Sequence, residues 1–149
     1  MRLPGTTPAA PDDDGSADPA LARALAGSDE AEVATALLSA RVLVPVVAMP
    51  NATGEAEMAV PALVDDAGRR ALPVFSSTAS LAAWRADGRP VPMAGTRVVQ
   101  GAAAEGYAAV VLDVAGPAAF TIAGELLTQL AAAANAADAN PGARIQVVR

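Results

Sequence analysis

Cys, His and Lys are all absent from this sequence, so each of its ten cationic side chains is an Arg. That removes disulfides, Cys or His zinc sites, Ser-His-Asp and Cys-His nucleophile pairs, Schiff-base lysines and the P-loop lysine. Chemistry would have to rest on carboxylates, hydroxyls and guanidinium groups. Three constellations qualify. Arg69, Arg70, Arg85, Arg89 and Arg97 fall within 29 residues, beside Asp65, Asp66 and Asp87. Arg forks suit carboxylate or phosphate, and the same pattern also describes a solvated turn and helix face with loose ion pairs. Phe75, Ser76, Ser77 and Trp84 stand where a strand passes into a helix. They would line a pocket there, or supply a helix cap and core aromatics. Asp113 ends a strand before Gly116-Pro117, a place where carboxylates serve as acids, bases or ligands and also simply as turn residues. No G-x-S-x-G elbow surrounds the serines, and the Asp12-Asp13-Asp14 triplet lacks the EF-hand pattern. Asn51-Ala52-Thr53 fits the N-glycosylation pattern, but no secretory leader is legible to bring it to that modification.

The elements that would position these groups have to be built from an unusual alphabet. Of 149 residues, 40 are Ala, 16 Val and 13 Leu, with only four aromatics. The length suits one domain. Ala carries little apolar area, so the core depends on a few Val- and Leu-rich segments. The excess of Ala, Val and Arg over Ile and Lys reads as the signature of a GC-rich genome. The net charge of −6 is uneven. Residues 1–32 hold seven acids and two Arg, and residues 33–149 nine acids and eight Arg, giving −5 and −1. Neither part has the basic footprint of a nucleic-acid binder. The longest strongly apolar run, Val42 to Met49, is too short for a bilayer span and contains Pro45.

Residues 1–18 read as a disordered acidic tail rich in Pro and Gly, with little to bury. Asp18-Pro19 should open a first helix, with Asp as cap and Pro at the first helical position. Asp29 and Glu32 resemble a capping box for a second helix burying Val33, Leu37 and Leu38. Val42 to Ala48 reads as a strand in which Pro45 argues for a sheet edge or a bulge. Met58–Val64 and Ala71–Phe75 flank an Asp/Gly turn, the signal of a hairpin. A short helix opened by Ser76-Ser77-Thr78, with Ser76 or Ser77 as its cap, an extended Pro90–Met93 and a helix over 95–105 follow. Strands at Tyr107–Val114 and Phe120–Ile122 then lead to a helix over Glu125–Ala137, with Leu126, Leu127 and Leu130 inward. Arg144 to Val148 would form a last edge strand or a tail. The expected class is α/β (α+β): one mixed sheet with a clear hairpin, flanked by helices, in a single domain over 19–149.

Taken together, Arg41-VLVPVVA, PALVDDAGRRALPVFSS (Pro61 to Ser77), Trp84, RPVPM (Arg89 to Met93) and YAAVVLDVAGP (Tyr107 to Pro117) resemble the N-terminal domain of the SseB family. These are the bacterial enhanced serine sensitivity proteins. The resemblance spans roughly residues 20–138 and about ten residues follow, so the second domain of longer members is expected to be absent. It implies an α/β domain and no agreed activity, since the family name describes a phenotype. The expectation is therefore a non-catalytic, cytoplasmic protein-interaction module without cofactor or metal, acting on an unidentified protein partner and not on nucleic acid or membrane. Its candidate surface is Arg69, Arg70, Phe75, Ser76, Trp84, Arg85, Arg89 and Asp113. Two alternatives stay open: a ligand sensor or enzyme using Ser76, Asp113 and Arg85, and a homodimer pairing through the Pro45 strand or the terminal strand.

Overall fold

The computed structural model describes residues 13–27 and 29–139. Five helices and seven strands follow in the order α1 (Pro19–Gly27), α2 (Glu30–Ser39), β1 (Arg41–Pro50), β2 (Ala56–Ala59), β3 (Leu63–Val64), β4 (Arg70–Val74), α3 (Thr78–Trp84), β5 (Arg89–Ala94), α4 (Gly95–Ala104), β6 (Ala109–Leu112), β7 (Phe120–Ala123) and α5 (Gly124–Ala139). Both first helices start where their caps dictate. Asp18 accepts from the N–H groups of Ala20 and Leu21, and Asp29 from those of Ala31 and Glu32. Of the 1–18 tail, residues from Asp13 onward are placed against the body of the domain, through Arg41 and Thr78. The expected terminal strand at 144–148 lies outside the described residues.

The architecture is α+β, as expected, but the strands divide into two sheets. One has the order β2-β1-β5 and is antiparallel; the other, β3-β4-β6-β7, is mixed, with β4 and β6 parallel. A single bridge joins them, in which Leu43 and Phe75 exchange bonds of 2.8 and 2.9 Å. Val42 and Val44 of β1, Leu72 and Val74 of β4, Val110 and Leu112 of β6 and Ile122 of β7 supply one apolar face. Helices α1, α2, α4 and α5 cover it with Leu21, Leu37, Val99 and Leu130. On the other side, α3 closes a small cluster of Leu43, Phe75 and Leu81, with Trp84 and Val114 against it.

Two expectations need correction. The Pro45 strand is not an edge: β1 is the middle strand of its sheet. Backbone donors alternate along an antiparallel strand. Leu43 points to Phe75 and pairing with β2 begins at Val47 on that same side, so position 45 faces the gap between them and needs no donor. Pro90, opposite Pro45, and Pro92, opposite Leu43, turn their missing donors to the outer side of β5 and blunt that edge. The expected strand over Met58–Val64 is also split. Ala56–Ala59 turns back on β1, Leu63–Val64 pairs with β4, and Pro61 falls in the break. The hairpin at Asp65–Arg69 is present as read, between β3 and β4.

Candidate functional site

Ser76 and Asp113 are 37 residues apart in sequence, and parallel pairing brings them together. Val74 aligns with Leu112 at the C-terminal ends of β4 and β6, and the Asp113 N–H continues the ladder to the Val74 carbonyl at 2.9 Å. Asp113 then turns with φ +51°, a left-handed conformation that Asp tolerates better than most residues. Its carboxylate faces the start of α3. Oδ1 accepts from the Ser76 N–H at 2.8 Å, and Oδ2 from the Ser76 hydroxyl at 2.6 Å. The Ser80 hydroxyl lies 2.9 Å from Oδ1 and also 2.9 Å from the Ser77 carbonyl, and its one proton favours the charged acceptor. Ser77 caps α3, bonded to the Ser80 N–H at 3.1 Å. Ser76 and Asp113 are 5 % and 8 % exposed, which leaves little room for a substrate beside them.

The other candidates do not join that pair. Phe75 is fully buried and stacks on Trp84 with ring centroids 5.5 Å apart. Arg85 makes a two-pronged bond to Asp87, at 3.0 and 2.8 Å, and the hydrogen bond holds the Asp87 carboxyl below its ordinary value. Arg89 is exposed at the start of β5, opposite Val46. Arg97 reaches Asp138 on α5. Arg69 and Arg70 lie at the far end of β4 from Ser76, six residues of extended chain or about 20 Å away. The run of five Arg is thus dealt out to separate surfaces.

Arg69 and Arg70 do border a cleft. It has a volume of about 840 Å³ and is walled by Leu63, Val64, Arg69, Arg70, Tyr107 and Leu127. Asp65 organises the turn above it, accepting from the N–H groups of Ala67 and Arg69 and from Arg69 Nε at 2.7 Å. The Arg69 N–H bond, with the guanidinium added, holds the Asp65 carboxyl below its usual value. The Arg70 guanidinium sits 4.5 Å over the Tyr107 ring and donates to the Glu105 carbonyl at 2.7 Å. Burial pushes the Tyr107 hydroxyl pKa upward, with Arg70 opposing. The cleft thus sets exposed apolar side chains beside two guanidinium groups. Among the described residues no group of three or more acids is placed to hold a metal ion, and no helix is long and apolar enough to cross a membrane.

Sequence reasoning missed Tyr107, Ser80 and Arg41. Ser77-x-x-Ser80 was legible as a capping pattern, whereas Arg41 and Tyr107 gain their roles from residues 28 and 37 positions away. A family model described as the SseB protein N-terminal domain matches residues 18–129, which is 112 of the 149 residues. No curated protein and no solved structure matches.

Proposed function

The chain belongs to the SseB N-terminal domain family, and from that starting point we propose that it acts as a non-catalytic, cytoplasmic protein-interaction module. The docking face is the cleft beside β3. The observation that carries this reading is the Arg70–Tyr107 pair set in the wall of an open, largely apolar cleft. Arg and Tyr are the side chains that most often anchor protein interfaces, and a guanidinium already held on a ring loses little freedom on binding. Val64, 64 % exposed on a two-residue edge strand, adds an apolar contact next to them. The non-catalytic part draws support from Ser76 and Asp113, whose hydrogen-bonding groups are taken up with each other.

The test uses the full-length tagged chain in extract of its native host. Wild type, Val64→Glu and Arg70→Ser are compared with Arg97→Ser, which lies away from the cleft. The expected result is a protein retained by wild type and Arg97→Ser and lost from both cleft variants. Recovery of the same proteins by all four chains would refute the assignment of the cleft.

A further inference from the structure

Arg41 and its surroundings hold a short peptide segment, and that segment is the chain's own. The Arg41 guanidinium donates from NH2 to Asp13 Oδ1 at 2.8 Å and to the Ser16 carbonyl at 2.7 Å, while NH1 is fixed on the Ser76 carbonyl at 3.2 Å. Next to it, the Thr78 N–H donates to the Gly15 carbonyl at 2.8 Å, with the Thr78 hydroxyl 3.3 Å from the same oxygen. Gly15 has φ +80°, and a Cβ there would stand 2.6 Å from Thr78 Cγ2. A flat residue is needed at that point.

The two sides of this contact are built differently. Arg41 belongs to β1 and also donates to the Ser76 carbonyl, a contact that does not involve the segment. Polar contacts tie the segment down: none of residues 13–18 is fully buried, and none contributes to the apolar clusters. Its shape is set internally, by Asp13 Oδ1 on the Gly15 N–H and Asp14 Oδ1 on the Ser16 N–H, both at 2.9 Å. A preformed site with a weakly held occupant is one that another peptide can take.

We infer that the Arg41 site is a second protein-docking surface, for an acidic partner segment of the form Asp-x-Gly, which residues 13–16 occupy and mask. The partner's carboxylate replaces that of Asp13 on Arg41, and its glycine lies flat on Thr78. The tethered segment competes at a high effective concentration, so the site is silent until a partner matches or displaces it. This surface is separate from the cleft beside β3.

The experiment uses the full chain and a fluorescent peptide with the sequence of residues 11–18. Gly15→Val undocks the tethered segment without altering the site. It is expected to bind the peptide at least tenfold more tightly than wild type by anisotropy, with faster amide exchange at Thr78. Asp13→Asn, which leaves the backbone conformation free, gives a smaller gain in the same direction. Adding Arg41→Gln to Gly15→Val, or valine for glycine in the peptide, abolishes the gain. Val64→Glu leaves it unchanged, which separates this inference from the cleft proposal. Three results would overturn it: unchanged Thr78 exchange in Gly15→Val, faster exchange without tighter binding, or binding that survives Arg41→Gln.

Discussion

Replacing Asp113 by Ala tests whether the Ser76–Asp113 pair is a structural joint. The substitution removes the acceptor for the Ser76 N–H, the Ser76 hydroxyl and the Ser80 hydroxyl. Bonds to a charged group contribute about 1.5–3 kcal/mol each when deleted singly, and three on one carboxylate are not additive. The Ser80 hydroxyl can turn to the Ser77 carbonyl at 2.9 Å, so its loss is small. The Ser76 N–H is left buried without that acceptor, at a cost of about 1–3 kcal/mol. Ala at φ +51° adds about 1 kcal/mol. Part of this is returned, because a carboxylate no longer has to be desolvated. The net expectation is a loss of about 3–4 kcal/mol, a large share of the roughly 5–15 kcal/mol that holds a domain together. Asp113→Asn keeps an acceptor and tolerates the backbone, so it should lose about 1–2 kcal/mol. Asp113→Gly relieves the backbone and should be about 1 kcal/mol more stable than the Ala variant. Urea unfolding followed through Trp84, the sole Trp, reads all three. An Ala variant within about 1 kcal/mol of wild type would refute the joint, because the summed penalties cannot be that small.

Gly95 donates to the Ala40 carbonyl at 2.9 Å, and a Cβ on it would overlap the backbone carbonyl of Leu37. Backbone on both sides yields little, so Gly95→Ala should cost about 3 kcal/mol, or roughly 10 °C in Tm. A Tm within about 2 °C of wild type by circular dichroism would show that α2 and α4 can part without strain. Tyr107 is the only Tyr, and its absorbance near 295 nm should titrate above the ordinary value of 10.0. A raised acid pKa means the folded state keeps its proton longer than the unfolded one. This contribution to stability is full below pH 10.0 and is lost as pH rises from there through the folded pKa. Arg70→Leu should raise the Tyr107 midpoint further, and a fall on that substitution would contradict the guanidinium–ring contact.

What the sequence made legible was local. Asp18, Asp29 and Ser77 satisfy N–H groups within three residues, so cap chemistry located the starts of α1, α2 and α3 without any knowledge of the fold. The Asp65–Arg69 turn was equally plain, since Asp65 bonds within its own loop. Pairing between distant strands was not legible. The run from Met58 to Val64 looks like one strand because nothing in it shows that its first half belongs to β1 and its second to β4. Pro45 misled for a related reason. A missing donor matters only on the side where a partner strand lies, and that side is decided by Phe75 and Val47.

The same distinction explains why the candidate residues separated as they did. Arg69, Arg85 and Arg97 are close in sequence, but β4, α3 and β5 intervene between them, and each guanidinium pairs with a different acid, Asp65, Asp87 and Asp138. Ser76 and Asp113 are distant in sequence, and parallel alignment of β4 and β6 delivers them to the same end of one sheet. The buried Ser76 N–H needs an acceptor from across that gap. Asp113 meets that need with one carboxylate bridging β6, the end of β4 and the first turn of α3. Arg70, held on the Tyr107 ring and the Glu105 carbonyl, and Arg41, held on Asp13, Ser16 and Ser76, are the anchors of the two docking surfaces proposed above.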